Sequence, residues 1–182
     1  MPLGAARFGL LGGVADLGKL ELIETKTASG DNIVDFTDIK EDVYNVHFAI
    51  IDVNINNTSS VNIRFFESGV LESGTVYQYA YQNGRSGSFS ESKSTASDNL
   101  FATRTGATDK PRQAYNYFYN LGDSSKYSFF TMQAVSQYST TLDMRFGSGV
   151  MTQASTVDGI RFTETGGGNL TGTISLYGIA ES

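Results

Sequence analysis

Period-two alternation, interrupted every few residues by turn-forming Gly, Ser, Asn and Asp, most constrains what this chain can fold into. Successive side chains of a strand point to opposite faces, so alternation marks a segment with one packed and one wet side. Tyr44, Val46, Phe48 and Ile50 alternate with Asn45, His47 and Ala49 inside Val43 to Val53. Val61, Ile63 and Phe65 alternate with Asn62, Arg64 and Phe66, and Leu142, Met144 and Phe146 alternate with Asp143 and Arg145. Tyr77, Tyr79 and Tyr81 share one side of Thr75 to Tyr81. Shorter strand-like runs stand at Leu20 to Thr25, Ile33 to Phe36, Leu100 to Arg104, Ala114 to Asn120, Tyr127 to Val135, Asp158 to Thr163 and Thr173 to Ile179. No helix-length apolar pattern separates them, which disfavours a parallel α/β fold. About ten strands at this spacing predict an all-β protein, an antiparallel jelly-roll-like β-sandwich.

The punctuation between strands predicts the connections. Ala28 to Asn32 reads as a turn, and Asn120 to Lys126 as a hairpin connection. The polar stretch Asn83 to Ser97 reads as a long loop opened by the tight-turn pair Asn83-Gly84. Gly147-Ser148-Gly149 reads as a further turn, and Glu164 to Gly172 joins the last two strands.

One domain accounts for the length. A chain of 182 residues buries roughly 70% of its unfolded surface and needs no covalent staple. It has no cysteine, which excludes disulfides, thiolate catalysis and zinc sites built on Cys. We assign residues 20–182 to a single sandwich and residues 1–19, MPLGAARFGLLGGVADLGK, to an N-terminal arm. Five glycines make that segment costly to order alone, which fits a disordered terminus, while Leu3, Phe8, Leu10 and Leu11 fit the alternative of an arm that orders against a neighbouring subunit. The same stretch lacks the unbroken apolar core of a secretory signal, and no run reaches the ~18 residues of a membrane span. Thirteen scattered basic residues and a net charge of −6 argue against nucleic acid as a partner.

Groups that carry chemistry are sparse. His47 stands alone among apolar neighbours and reads as a packed histidine. There is no Gly-x-Ser-x-Gly elbow, P-loop or dinucleotide fingerprint, and Gly166-Gly167-Gly168 precedes no helix. Asp35 with Asp38, and Glu41 with Asp42, sit in turn-like sequence, and Asp31, Asp35 and Asp38 lack the spacing of a calcium loop. We therefore assign no catalytic residue, cofactor or metal ligand and expect a binding or structural role. The candidate interface consists of two tyrosine stripes, Tyr77, Tyr79 and Tyr81 and Tyr115, Tyr117 and Tyr119, whose rings suit protein contacts or sugar stacking.

One stretch carries a family resemblance. Val157-Asp158-Gly159-Ile160-Arg161-Phe162, followed by Gly168 to Ile179 (GNLTGTISLYGI), resembles the C-terminal signature of jelly-roll virion proteins of tailed, especially marine, bacteriophages. An Ile-x-Phe strand there leads through a Gly/Asn/Thr turn into a last strand ending in Leu-Tyr-Gly-Ile. Tyr44 to Phe66 is similar to their opening half, and Tyr115 to Phe130 to their middle. The resemblance covers about twenty residues closely and about a hundred loosely. It implies a virion component assembled in the host cytoplasm: a capsid decoration protein bound to the major capsid protein, homo-oligomeric with a trimer favoured. Its alternative is a tail or fibre-tip module that binds host glycan. The motif itself is structural. Ile174 and Leu176 should face the core, and Gly172 and Gly178 should permit bends or close backbone approach.

Overall fold

The structure, a computed structural model, describes residues 18–180, which form thirteen strands and no helix. Eight strands make one antiparallel sheet. Their spatial order is β1 (Leu20–Asp31), β13 (Leu170–Ile179), β3 (Val46–Ile55), β9 (Lys110–Tyr119), β10 (Tyr127–Tyr138), β11 (Thr141–Ala154), β6 (Tyr77–Arg85) and β7 (Ser88–Ser97). The smaller sheet runs β2 (Ile33–Phe36), β12 (Gly159–Glu164), β4 (Val61–Glu67) and β5 (Val70–Leu71), with β8 (Leu100–Phe101) also paired to β4. The arm anchors Leu3, Phe8, Leu10 and Leu11 lie outside the described residues. Lys19 is already tied to the sandwich, its carbonyl accepting from the Ala180 amide at 3.0 Å.

The sheets enclose an aromatic and aliphatic core. Ile51, Ile55, Phe118 and Phe130 come from the large sheet, and Phe36, Ile63, Phe65 and Phe162 from the small one. Phe65 meets Phe118 edge-on at 6.0 Å, and the Tyr77 hydroxyl accepts the Phe65 amide at 3.0 Å. Each fully buried aromatic contributes about 2–3 kcal/mol of transfer free energy. In β13, Ile174 and Leu176 point into this core. Gly172 has φ 138° and would drive a Cβ to 2.3 Å from the Asp52 carbonyl, so only glycine fits.

Several connections differ from the sequence expectation. Asn83 to Ser97 is not a loop: β6 and β7 form a hairpin whose two-residue turn is Ser86-Gly87, with φ 97° at Gly87. Asn83 and Gly84 lie buried inside β6, because the serine-rich β7 pairs along the sheet edge in spite of its polarity. Gly147-Ser148-Gly149 is not a turn either, since β11 runs straight through it. A Cβ on Gly147 would strike Tyr81, and one on Gly149 would strike Leu100, so these glycines admit side chains from elsewhere. The stretch from Ala28 stays in β1 through Asp31, and Leu100 to Arg104 retains only the two residues of β8.

Candidate interaction surface

Register places the side chains of the large sheet's outer face in continuous rows. One row reads Leu22, Tyr177, Phe48, Tyr117, Thr131, Ser148, Ala80 and Lys93, each opposite the next across a strand pair. The next reads Ser175, Ile50, Tyr115, Gln133, Phe146 and Gln82. Phe129 lies beside them, opposite Tyr119 and Val150. Tyr115 and Ile50 are each 42% exposed and Phe129 is 47% exposed.

The aromatic half of this face is a connected cluster. The Phe48 ring lies 4.6 Å from Tyr117, 6.2 Å from Tyr115 and 6.3 Å from Tyr177, all at tilted angles. Tyr117 stacks on Tyr119 at 6.4 Å. Tyr115 donates its hydroxyl to Gln133, which fixes its ring over the sheet. A shallow depression of about 380 Å³ opens there between Phe48, Ile50, Tyr115, Gln133 and Val135. A second trough of about 770 Å³ crosses the small residues Thr131, Ser148 and Ala80, walled by Phe129 and Val150.

Only one of the two tyrosine stripes belongs to this surface. Tyr115, Tyr117 and Tyr119 face outward, but Tyr77, Tyr79 and Tyr81 face the other sheet. Tyr77 and Tyr81 are fully buried core residues and cannot line an interface. Burial pushes both phenols well above their ordinary pKa. Their hydroxyls serve the fold, accepting the amides of Phe65 and Phe101.

Sequence reasoning placed Tyr177 outward, opposite Ile174 and Leu176, but missed Phe48, Ile50, Phe129 and Phe146 as surface residues. In β3 the core side is His47, Ala49, Ile51, Val53 and Ile55, which leaves Phe48 and Ile50 outside. In the first half of β11, Leu142 to Phe146, the buried residues are Asp143 and Arg145, while Leu142 and Phe146 are exposed. The available signal was that β3 is apolar on both faces.

The opposite exterior differs. On the small sheet Arg161 and Arg64 sit side by side, each held by an aspartate. Arg161 grips Asp35 through two bonds of 2.7 and 2.6 Å, and Arg64 pairs with Asp98. Asp38 pairs with Lys40 at 2.8 Å, and Asp31 accepts the Ser29 amide, so these aspartates do not converge. Among the described residues no group of three or more His, Asp or Glu is placed to hold a metal ion. His47 is fully buried, with Nε2 donating to the Ile39 carbonyl at 2.8 Å.

The chain thus belongs to the all-β class, an antiparallel sandwich with one charged and one apolar-aromatic exterior. No protein-family model and no curated protein matches it.

Proposed function

We propose that this chain is a virion structural protein, a capsid decoration protein that binds the assembled shell and its own copies through the outer face of the eight-stranded sheet. The observation that carries the reading is the sidedness of the sandwich. Eight strands at ~4.8 Å spacing and about ten residues of length give a face on the order of 1,000 Å². A standard interface takes about 800 Å² per partner, so this face is large enough for one. Phe48, Tyr115, Tyr117 and Tyr177 supply the rigid aromatic anchors that dominate interfaces.

The thermodynamic role follows. A protein that binds only the assembled shell stabilises that state by mass action. The arm would add a second attachment next to β1, and the phage-like C-terminal motif supports the virion assignment. The experiment is quantitative mass spectrometry of purified particles, comparing this protein with the major capsid protein. Comparable abundance supports shell decoration, and absence from particles overturns it.

A second reading, a tail or fibre-tip module for host polysaccharide, has one observation in its favour. The depression beside Phe48 and Tyr115 combines ring faces with the amides of Gln113 and Gln133 and the carboxylate of Asp52, a mixture suited to sugars. A few copies per particle, with glycan binding lost on Tyr115→Ala, would favour it over decoration.

A further inference from the structure

The eight-stranded sheet is wider than the sheet that covers it. Past the edge of the small sheet, the inward side of β11, β6 and β7 is lined by polar groups instead of apolar ones. Asp143 and Arg145 come from β11, Asn83 and Arg85 from β6, and Ser88 and Ser90 stand opposite Arg85 and Asn83 on β7. Arg104 enters from the segment between β8 and β9.

Charge does not balance there. Asp143 is fully buried and accepts from Arg85 Nη2 at 2.7 Å and Arg104 Nε at 3.0 Å. Arg145 lies behind them, donating to Asn83 Oδ1 at 2.7 Å and to the Thr103 carbonyl at 3.3 Å. Three guanidiniums thus surround one carboxylate, a local excess of two positive charges in a chain of net charge −6. Burial first, and next the charge of Arg104, lower the Arg145 pKa to about 10.

Donors are also left over. The Arg85 guanidinium lies over the Tyr138 ring at 3.9 Å with Nε buried and making no hydrogen bond, and both terminal nitrogens of Arg104 are unspent among the described residues. Asn83, Arg85, Ser88, Ser90 and Arg104 together wall a polar pocket of about 140 Å³. That volume suits one small oxyanion. A planar guanidinium fork presents paired N–H groups to carboxylate, sulfate or phosphate oxygens alike.

We propose that this rim pocket binds a single oxyanion group between the Arg85 and Arg104 guanidiniums and the Ser88 and Ser90 hydroxyls. The ligand offsets the surplus charge and takes up the terminal nitrogens that Arg104 leaves unspent. The site is separate from the aromatic face, so it stands whether or not the shell assignment does.

Thermal unfolding of the full chain tests it, in sodium sulfate, sodium phosphate or sodium glucuronate against sodium chloride at equal ionic strength. Sulfate and phosphate stabilise most proteins by exclusion, so the deciding quantity is the difference between wild type and Ser90→Asp. Ser90 is exposed on an edge strand, and an aspartate there fills the pocket with a carboxylate without disturbing the core. Wild type should gain about 3–6 °C more than Ser90→Asp at saturating anion. Ser90→Asp should itself be the more stable protein in chloride. Gain from glucuronate alone would identify a carboxylate ligand, and gain from sulfate and phosphate alone a tetrahedral one. Equal shifts in wild type, Ser90→Asp and Arg104→Gln, or none above chloride, would overturn the proposal.

Discussion

Arg112 and His47 lie at opposite ends of the core side of the large sheet, and both are fully buried. Arg112 keeps its charge by spending it on backbone. Its guanidinium donates to the carbonyls of Ile55, Asn57, Ser59, Ala107 and Lys110, at 2.6 to 3.5 Å, and so ties the β3–β4 connection to the β8–β9 connection. Replacing it with Met orphans those acceptors, and we expect a loss of about 3–5 kcal/mol in urea unfolding. A loss below about 1 kcal/mol would mean that water takes over the carbonyls. His47 is instead held neutral. Burial lowers its pKa, opposed in part by the bond to Ile39, and Nδ1 has no partner. Its folded pKa therefore lies below the unfolded value of about 6.5. As pH falls through 6.5 the unfolded chain takes up a proton that the folded chain refuses, so stability is lost toward pH 5. Glu164 behaves differently. Desolvation raises its pKa, but hydrogen bonds from Ser59, Gly166, Gly168 and Asn57 outweigh it and lower the net value. Its contribution fades only below about pH 4, outside the histidine window. Urea midpoints between pH 7.5 and 5 should slope in wild type and flatten in His47→Gln. An unchanged slope in the variant would assign the acid sensitivity elsewhere.

Single elements show what packing adds to pattern. Tyr44 crosses flat over Gly178 of β13 and donates to Glu21 Oε2 of β1 at 2.6 Å, strapping the edge strand to the sheet. A Cβ on Gly178 would lie 2.2 Å from that ring. Gly178→Ala should cost about 2–3 kcal/mol by overpacking. In a Tyr44→Ala background it should cost less than half of that, since the obstructing ring is gone. Equal costs in both backgrounds would place the strain in the backbone. The sandwich class and the positions of β2, β3, β4, β10, β12 and β13 were legible in the sequence, because alternation reports strands directly. What alternation cannot report is which side meets the second sheet. Phe48 and Ile50 share the more apolar face with Tyr44 and Val46, yet it is His47, Ala49 and Ile51 that fill the core. The β6–β7 hairpin was illegible for another reason. Ser88 to Ser97 holds its place through ladder bonds to β6 and buries almost no apolar surface, so composition alone made it a loop. Gly147 and Gly149 misled in the same way, since their missing side chains answer to Tyr81 and Leu100, residues distant in sequence. Half of the candidate surface, the Tyr115 to Tyr119 stripe, was legible, and the arginine rim was not. Arg85, Arg104 and Arg145 converge only through the pairing of β6 with β11 and the return of the chain after β8.

At the scale of the whole molecule, the division of labour between two exteriors yields the most consequential prediction. The small sheet spends its outward charges on internal pairs, Arg161 with Asp35 and Arg64 with Asp98, and so presents little that is unsatisfied. The large sheet presents Ile50, Tyr115, Phe129 and Phe146 with no internal partner for much of their surface. If that face is the binding face, charges placed on it should abolish assembly without unfolding the subunit. Ile50→Lys and Phe129→Lys are suited to this, since both side chains already project outward and a lysine can reach water. Each should change folding stability by less than about 1 kcal/mol. In contrast, either should weaken self-association and shell binding by tenfold or more, because an interface must then desolvate an unpaired ammonium. Sedimentation velocity of the purified chain, followed by cosedimentation with empty shells, separates the two effects. Arg64→Gln on the opposite exterior serves as the control and should leave both binding readouts unchanged. Loss of binding in that control, with Ile50→Lys intact, would move the docking surface to the small sheet and refute the reading of the apolar face.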